Sequence, residues 1–472
     1  FLPATAAPAL MPFDRVRGVT RDWWTAAAVY RDRRVLSLLF LGFSSGLPFG
    51  VLAEPLSAWL TDAGVSKTEI GLFALVSIPY SLKVLWAPLV DRLSLPVLSR
   101  RLGRRRGWAL LAQSLLLAGI VVMGGTDPAQ SLAATAALAL LVAFASASQD
   151  IVIDAYRVEI LEERQLAAGA ATTVFGWRIG QVGAGALGLI LADVLPWSVV
   201  FSLIAAMVGV GMATILLNPE PRVPAAGAAD AVAARAREFL ERGRRLPHRL
   251  VAVGAWIYAA ALQPIVEFLG RRHWLAILLF IALYKFGDAV LAVMKVPFFL
   301  EIGFSKTEIA EVVKLFGVVA VIAGGLFGGV LLARIGILRG LLVCGVLMAA
   351  SNLVFVLQAW AGADVRMLAA TIAIENITTG MGTTAFVAYL SSLCNLAYTA
   401  TQYALLTSLM ALSRTVLSSG AGWLADRMTW PDFFIATTLA AVPGLLLLLW
   451  MIRTFPPRAA DEENAGEPPR KD

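Results

Sequence analysis

Two carboxylates stand one helical turn apart in Ser148-Gln149-Asp150-Ile151-Val152-Ile153-Asp154-Ala155-Tyr156-Arg157, a stretch otherwise apolar back to about Leu132. At i and i+4, Asp150 and Asp154 share one helix face. A run of that length reads as a membrane span, and an ionised group near a bilayer centre costs roughly 3 kcal/mol on insertion scales. Acids kept at that cost face a wet cavity, where they carry protons, hold ions or bind polar solutes.

These two are not alone. The apolar runs also hold the acids Glu54, Asp288 and Glu375 and the cations Lys83, Arg178, Lys285, Lys295, Lys314 and Arg414. Counted along their helices at ~1.5 Å per residue, Lys83, Arg178, Lys285, Asp288, Glu375 and Arg414 fall in the middle third of the bilayer, with Glu54 and Lys314 toward the outside. Lys285 and Asp288, at i and i+3, could simply pair and fix packing. Six cations in so apolar a chain point instead to a cavity for an anionic solute, with Asp150, Asp288, Glu375 and Glu54 as candidate proton carriers. Tyr80, Trp86, Gln149, Trp177, Asn376 and Gln402 add rings and amides suited to sugar faces and hydroxyls, although such aromatics also serve routinely in packing.

The elements that must position these groups follow from composition. Of 472 residues, 59% are hydrophobic and 15% charged, a polytopic all-α membrane protein. Cys344 and Cys394 are too few for a disulfide framework, and His248 and His273 lie outside the apolar runs, so no metal site and no cofactor is expected. No nucleophile and base are arranged as in an enzyme. The net charge of +7 resides in loop arginines, which speaks for topology and against nucleic acid.

Hydropathy places twelve spans near 35–60, 69–90, 107–125, 131–155, 167–193, 197–217, 274–300, 308–333, 336–359, 367–390, 399–424 and 432–452. Arginine clusters at 15–34, 92–106 and 222–249 fall on one side, which puts both termini and the central loop in the cytosol. The heptapeptide Gly64-Val65-Ser66-Lys67-Thr68-Glu69-Ile70 recurs as Gly303-Phe304-Ser305-Lys306-Thr307-Glu308-Ile309, each reading as a capping box at a helix start. Two parallel six-span repeats result. The division is a cytosolic segment 1–33, a bundle 34–217, a linker 218–273 with an interfacial amphipathic helix, a bundle 274–453 and a disordered tail 454–472. Glycines at 42 and 46, at 183, 185 and 188, and at 324, 325, 328 and 329 allow close helix contact.

Asp91-Arg92 followed by Gly103-Arg104-Arg105-Arg106 resembles the cytoplasmic loop signature of the major facilitator superfamily. Within it, several stretches resemble the AmpG muropeptide permease family: Gly42-Phe43-Ser44-Ser45-Gly46-Leu47-Pro48, Lys83-Val84-Leu85-Trp86-Ala87-Pro88, Ser146 to Asp154, Lys285-Phe286-Gly287-Asp288-Ala289, Glu375-Asn376 with Gly380-Met381-Gly382-Thr383, and Ser391 to Leu405. The resemblance implies a proton-driven importer of N-acetylglucosaminyl-1,6-anhydro-N-acetylmuramyl peptides, a monomer in the bacterial inner membrane that feeds peptidoglycan recycling and β-lactamase induction. Acetyl-coenzyme A transporters share the first and fourth spans. A transporter of another large anion, or a non-transporting assembly factor, is therefore the alternative.

Substrate contacts are expected from Gln149, Asp150, Lys83, Arg178, Lys285, Glu375, Asn376, Arg414, Gln402, Trp86, Trp177 and Tyr80. Along the fourth span Asp150 lies about five residues, ~8 Å, from the cytosolic end, whereas Asp154 is near that end with Arg157 beyond. The two acids therefore separate: Asp150 belongs with the substrate path, Asp154 and Arg157 with Asp91 and Arg92 in a cytoplasmic gate.

Overall fold

The computed structural model describes residues 28–221, 262–305 and 308–454. The expectations for 1–27, 222–261 and the tail from 455 lie outside the described residues, as do the side chains of Glu54, Lys67, Lys306 and Lys314.

Among the described residues the secondary structure is helical, and nine helices are long and apolar enough to cross a membrane. The twelve helices used below are α1 (Arg33–Leu52), α2 (Arg104–Gly124), α3 (Leu132–Ile160), α4 (Leu166–Ala192), α5 (Trp197–Leu217), α6 (Trp274–Leu283), α7 (Phe286–Glu301), α8 (Gly317–Ile335), α9 (Ile337–Asn352), α10 (Val365–Ser392), α11 (Thr399–Ser418) and α12 (Trp430–Thr454). Because α6 and α7 together make one crossing, these labels do not count spans one by one.

The stretch expected as a continuous span at 69–90 is instead a chain of short pieces, Lys67–Leu72, Phe73–Ser77, Ile78–Leu82, Lys83–Leu85 and Ala87–Arg92. Pro79 and Pro88 stand at the starts of two of them, where a missing N–H costs least. The second half departs from α geometry at the corresponding place, with a π-helix over Ile309–Phe316. Ahead of both irregular stretches the repeated heptapeptides fold alike. Ser66 N–H donates to Glu69 at 3.1 Å and Glu69 N–H to Ser66 Oγ at 3.3 Å, matched by Ser305 to Glu308 at 2.8 Å and the return bond at 3.2 Å. Gly64 (φ 77°) and Gly303 (φ 105°) make the turns that require a left-handed residue.

Close glycine contacts set the helix positions. A methyl group at Gly42, Gly46 or Gly50 would strike the α4 backbone at Thr173, Trp177 or Gln181, and one at Gly176 or Gly180 would strike α1 at Leu39 or Phe43. In the second half Gly324 and Gly328 bring α8 onto Ile377 and Met381 of α10. Gly185 lies against Gly50 and Gly188 against Pro55, so the seam continues from Gly176 and Gly180 through these two, while Gly183 has nothing within 4 Å. That seam carries Trp177, Arg178 and Gln181 beside the polar face of α1. Each half has its own apolar core, and at the arginine-rich end the cores mix, Ala400 and Ala404 packing with Ile151, Val152 and Tyr156. The described part of the linker is not peripheral: Phe268, in Gln263–Leu269, is fully buried with Phe280, Tyr389 and Leu393.

Gly46→Ala should therefore lower stability by about 2 kcal/mol or more, the range of overpacking against a fixed backbone. Gly183→Ala should leave it unchanged, and thermal melts in detergent compare the two.

Candidate functional site

The halves are joined at the arginine-rich end by one carboxylate. Asp91 Oδ1 accepts from Arg105 Nη2 at 2.8 Å and from the Ala400 N–H at 3.2 Å. Its Oδ2 accepts from the Thr401 N–H at 2.7 Å and Oγ1 at 2.6 Å. Asp91 is 2% exposed, and it occupies the N-terminus of α11, where free N–H groups and the helix dipole favour an anion. Arg105, 1% exposed, is neutralised twice, by Asp91 and by a fork of bonds to Glu159, one at 2.9 Å. Glu220 caps the start of α2 through the Arg105 and Arg106 N–H groups at 2.7 and 3.0 Å.

Arg157 makes a second bridge between the halves, donating from Nη1 to Ser391 Oγ at 2.7 Å and lying 5.1 Å over the Tyr403 ring. Arg92 lies 5.6 Å over Tyr398. Burial holds that phenol above its ordinary range, with the guanidinium opposing the shift. Tyr30 Oη reaches the Leu326 carbonyl at 3.1 Å. Asp154 stands just behind this closure, 3.4 Å from Arg157 and 3.8 Å from Lys83.

Asp150 keeps different company. Ser45 Oγ donates to its Oδ1 at 2.5 Å, and the neighbouring Gln149 is fully buried against Ser44, its amide donating to the Ser44 carbonyl at 3.1 Å. The chain thus gives one acid of the pair to Lys83 and Arg157 and the other to α1. Tyr80, Phe49 and Trp177 form an aromatic wall nearby, with ring centres 4.2 and 5.3 Å apart. Arg178 lies 5.2 Å over Trp177 and 3.5 Å from Gln181 Oε1. Trp86 donates to Ser148 Oγ at 3.1 Å and packs on Phe144.

In the second half Lys285 caps α7 where the α6–α7 crossing breaks, and donates to Thr383 Oγ1 at 2.7 Å. Asp288, in the first turn of α7, accepts from Thr379 Oγ1 at 3.3 Å. Lys295 is bonded to Glu375 at 2.7 Å, and the second Glu375 oxygen is buried with no partner among the described residues. Asn376 bonds back to Ile372 O at 3.0 Å. Lys285 is in electrostatic contact with Asp288, Glu375, Arg178 and the exposed Arg414, so cations from both halves meet. Gln402 is elsewhere. Its amide is bonded to Pro264, Glu267 and Asn395 at the arginine-rich end, away from the Lys285 group. Among the described residues no cluster of His, Cys, Asp and Glu could hold a metal.

Sequence reasoning assigned no role to Arg105, Glu159, Glu220, Ser391 and Thr401. Arg105, Ser391 and Thr401 lay inside stretches already singled out, but only their contacts with Asp91 and Arg157 give them a role.

Two family models match the chain, the Acetyl-coenzyme A transporter 1 family over residues 35–193 and the Major Facilitator Superfamily over 277–471. Among solved structures, the proton:xylose symporter XylE shares 14% identity at TM-score 0.58, covering 94% of this chain and 98% of that one. The Escherichia coli fucose:proton symporter FucP shares 13% at TM-score 0.60, covering 91% and 99%. The fold is that of a major facilitator superfamily transporter, and the chain is no enzyme. The Anhydromuropeptide permease of Escherichia coli K12 is 38% identical over 89% of this chain and 80% of its own length. The Putative transporter AmpG 4 of Rickettsia felis is 34% identical over 90% and 97%. This chain belongs to the AmpG permease family.

Because Asp91 accepts from four donors, Asp91→Asn should loosen the closed end. With Cys344 replaced by Ala, alkylation of Cys394, 2% exposed in the receiving turn, should quicken about tenfold, the effect of losing roughly 1–2 kcal/mol of charged hydrogen bonding.

Proposed function

We propose that this protein imports N-acetylglucosaminyl-1,6-anhydro-N-acetylmuramyl peptides together with protons, by alternating access, from the outer face of a bacterial inner membrane to the cytosol. The observation that carries the reading is the 38% identity to an anhydromuropeptide permease across both halves. The meeting of Arg178, Lys285 and Arg414 supports it, since a solute bearing carboxylates is what such a group attracts. Its sugars would lie on the wall of Tyr80 and Trp177, which offers flat apolar faces beside the Gln181 amide.

The arginine-rich end is the cytosolic one by the positive-inside rule, with both termini on that side. Closure there makes the described state outward-facing. The bundles 34–217 and 274–453 then rock about the site between them, breaking the Asp91 and Arg157 contacts as this end opens, with Asp91, Arg92, Asp154 and Arg157 as the gate and the protein acting as a monomer. Asp150, Asp288 and Glu375 are the candidate proton carriers, and Glu54 stands as a fourth. Asp150 is preferred over Glu375, which Lys295 holds, because among the described residues no cation bonds it and a serine hydroxyl serves either protonation state.

A second reading, another large anion such as acetyl-coenzyme A, draws on the match of that transporter family to residues 35–193. Competition between the two ligands for uptake separates them.

Right-side-out vesicles should accumulate a labelled anhydromuropeptide, and a protonophore should abolish the accumulation. Accumulation that survives the protonophore but needs sodium contradicts the coupling. Asp150→Asn should insert and melt like the parent and lose uptake at least about tenfold, the low end for a group that must exchange a proton. Parental uptake by that variant removes Asp150 from the mechanism.

A further inference from the structure

The turn that receives Asp91 is held from a second side. Ala400 and Thr401 give their donors to Asp91, while the next residue, Gln402, is engaged by the segment that enters the second half. Its Nε2 donates to the Pro264 carbonyl at 3.1 Å and to Glu267 Oε2. Its Oε1 accepts the Asn395 N–H at 2.7 Å and Arg271 Nη2 at 3.4 Å. Gln402 is 1% exposed with every polar group of its side chain bonded.

Glu267 and Arg271 are themselves paired at i and i+4, at 2.9 Å, and Arg271 Nη1 donates to the Leu393 carbonyl at 2.5 Å. Phe268, fully buried beneath the Arg271 guanidinium at 4.9 Å, anchors Gln263–Leu269 in the core of the second half. The turn at 391–402 bonds to itself at Cys394 N–H to Ser391 O, Ala397 N–H to Asn395 Oδ1 and Tyr398 N–H to Asn395 O, but these local bonds do not fix how it sits on the rest of the half. Leu393 O and Asn395 N, which helix geometry leaves free there, are both satisfied by this group.

A carboxylate at a helix N-terminus is sensitive to where the donors point, because hydrogen bonds weaken steeply with misalignment. Whatever sets the turn therefore sets the strength of the Asp91 contact. We propose that Glu267, Arg271 and Gln402 are positioning residues of the gate: they hold the 391–402 turn in the shape that accepts Asp91, so the helix Gln263–Leu269 governs how long this end stays shut. The inference rests on the transport reading only in taking the Asp91 contact as a gate.

The test uses spin labels on Arg101→Cys and Arg339→Cys, exposed positions in opposite halves, in the full chain with Cys344 and Cys394 replaced by Ala, in lipid nanodiscs. Gln402→Ala and Glu267→Gln should each raise the ratio of long to short label distances about fivefold, the weight of one net hydrogen bond. Added to Asp91→Asn, either should give less than the product of the separate effects, because both act through one turn. Unchanged distances, a lowered melting midpoint with unchanged distances, or strictly multiplicative effects would each overturn the proposal. If Gln402→Ala does not fold, Glu267→Gln, which keeps size and helix, decides. No substrate is present in the measurement, so a failure of muropeptide uptake bears on the transport reading alone.

Discussion

Charge carried into an apolar bundle must be matched, and most of this molecule's architecture follows from how each charge is matched. An unpaired buried ion costs several kcal/mol, so Arg105 and Arg157, at most 1% exposed, are fixed wherever their partners are. Arg105 finds Asp91 and Glu159 within its own half, and Arg157 finds Asp154 there and Ser391 across the interface. Asp91 then spends its remaining lone pairs on α11 of the other half. The closed end is thus the place where charges of one half are completed by donors of the other. Opening it requires water to replace them.

The middle of the bundle is matched less completely. Lys295 and Glu375 pair, yet one Glu375 oxygen has no partner among the described residues. Lys285 donates to a threonine hydroxyl, and Asp288 and Glu375 offset the repulsion it meets from Arg178 and Arg414. An arriving anion would add to that balance from between the halves. A solute that supplies it would draw the halves together about itself, which links binding to the conformational change.

Much of this was legible in the sequence. The repeated Ser-x-x-Glu heptapeptides carried the two-half architecture because the same bonds form in both copies. The i, i+4 spacing of Asp150 and Asp154 was legible too, as was the proximity of Arg157 to Asp154. The partners were not. Ser45 meets Asp150 across 105 positions, and Asp91 meets Thr401 across 310, separations on which local pattern is silent. Gln402 looked like a cavity residue for the same reason: its position along α11 was readable, the side to which its amide turns was not. The broken 67–92 segment was also hidden, since hydropathy sums over prolines that geometry must accommodate.

The proposed coupling makes proton entry and solute entry one event. Proteoliposomes with no imposed gradient and a pH dye inside test it most directly. Adding an anhydromuropeptide outside should acidify the lumen as the solute enters, and should do neither in Asp150→Asn. Solute entry with no change in internal pH would contradict the claim.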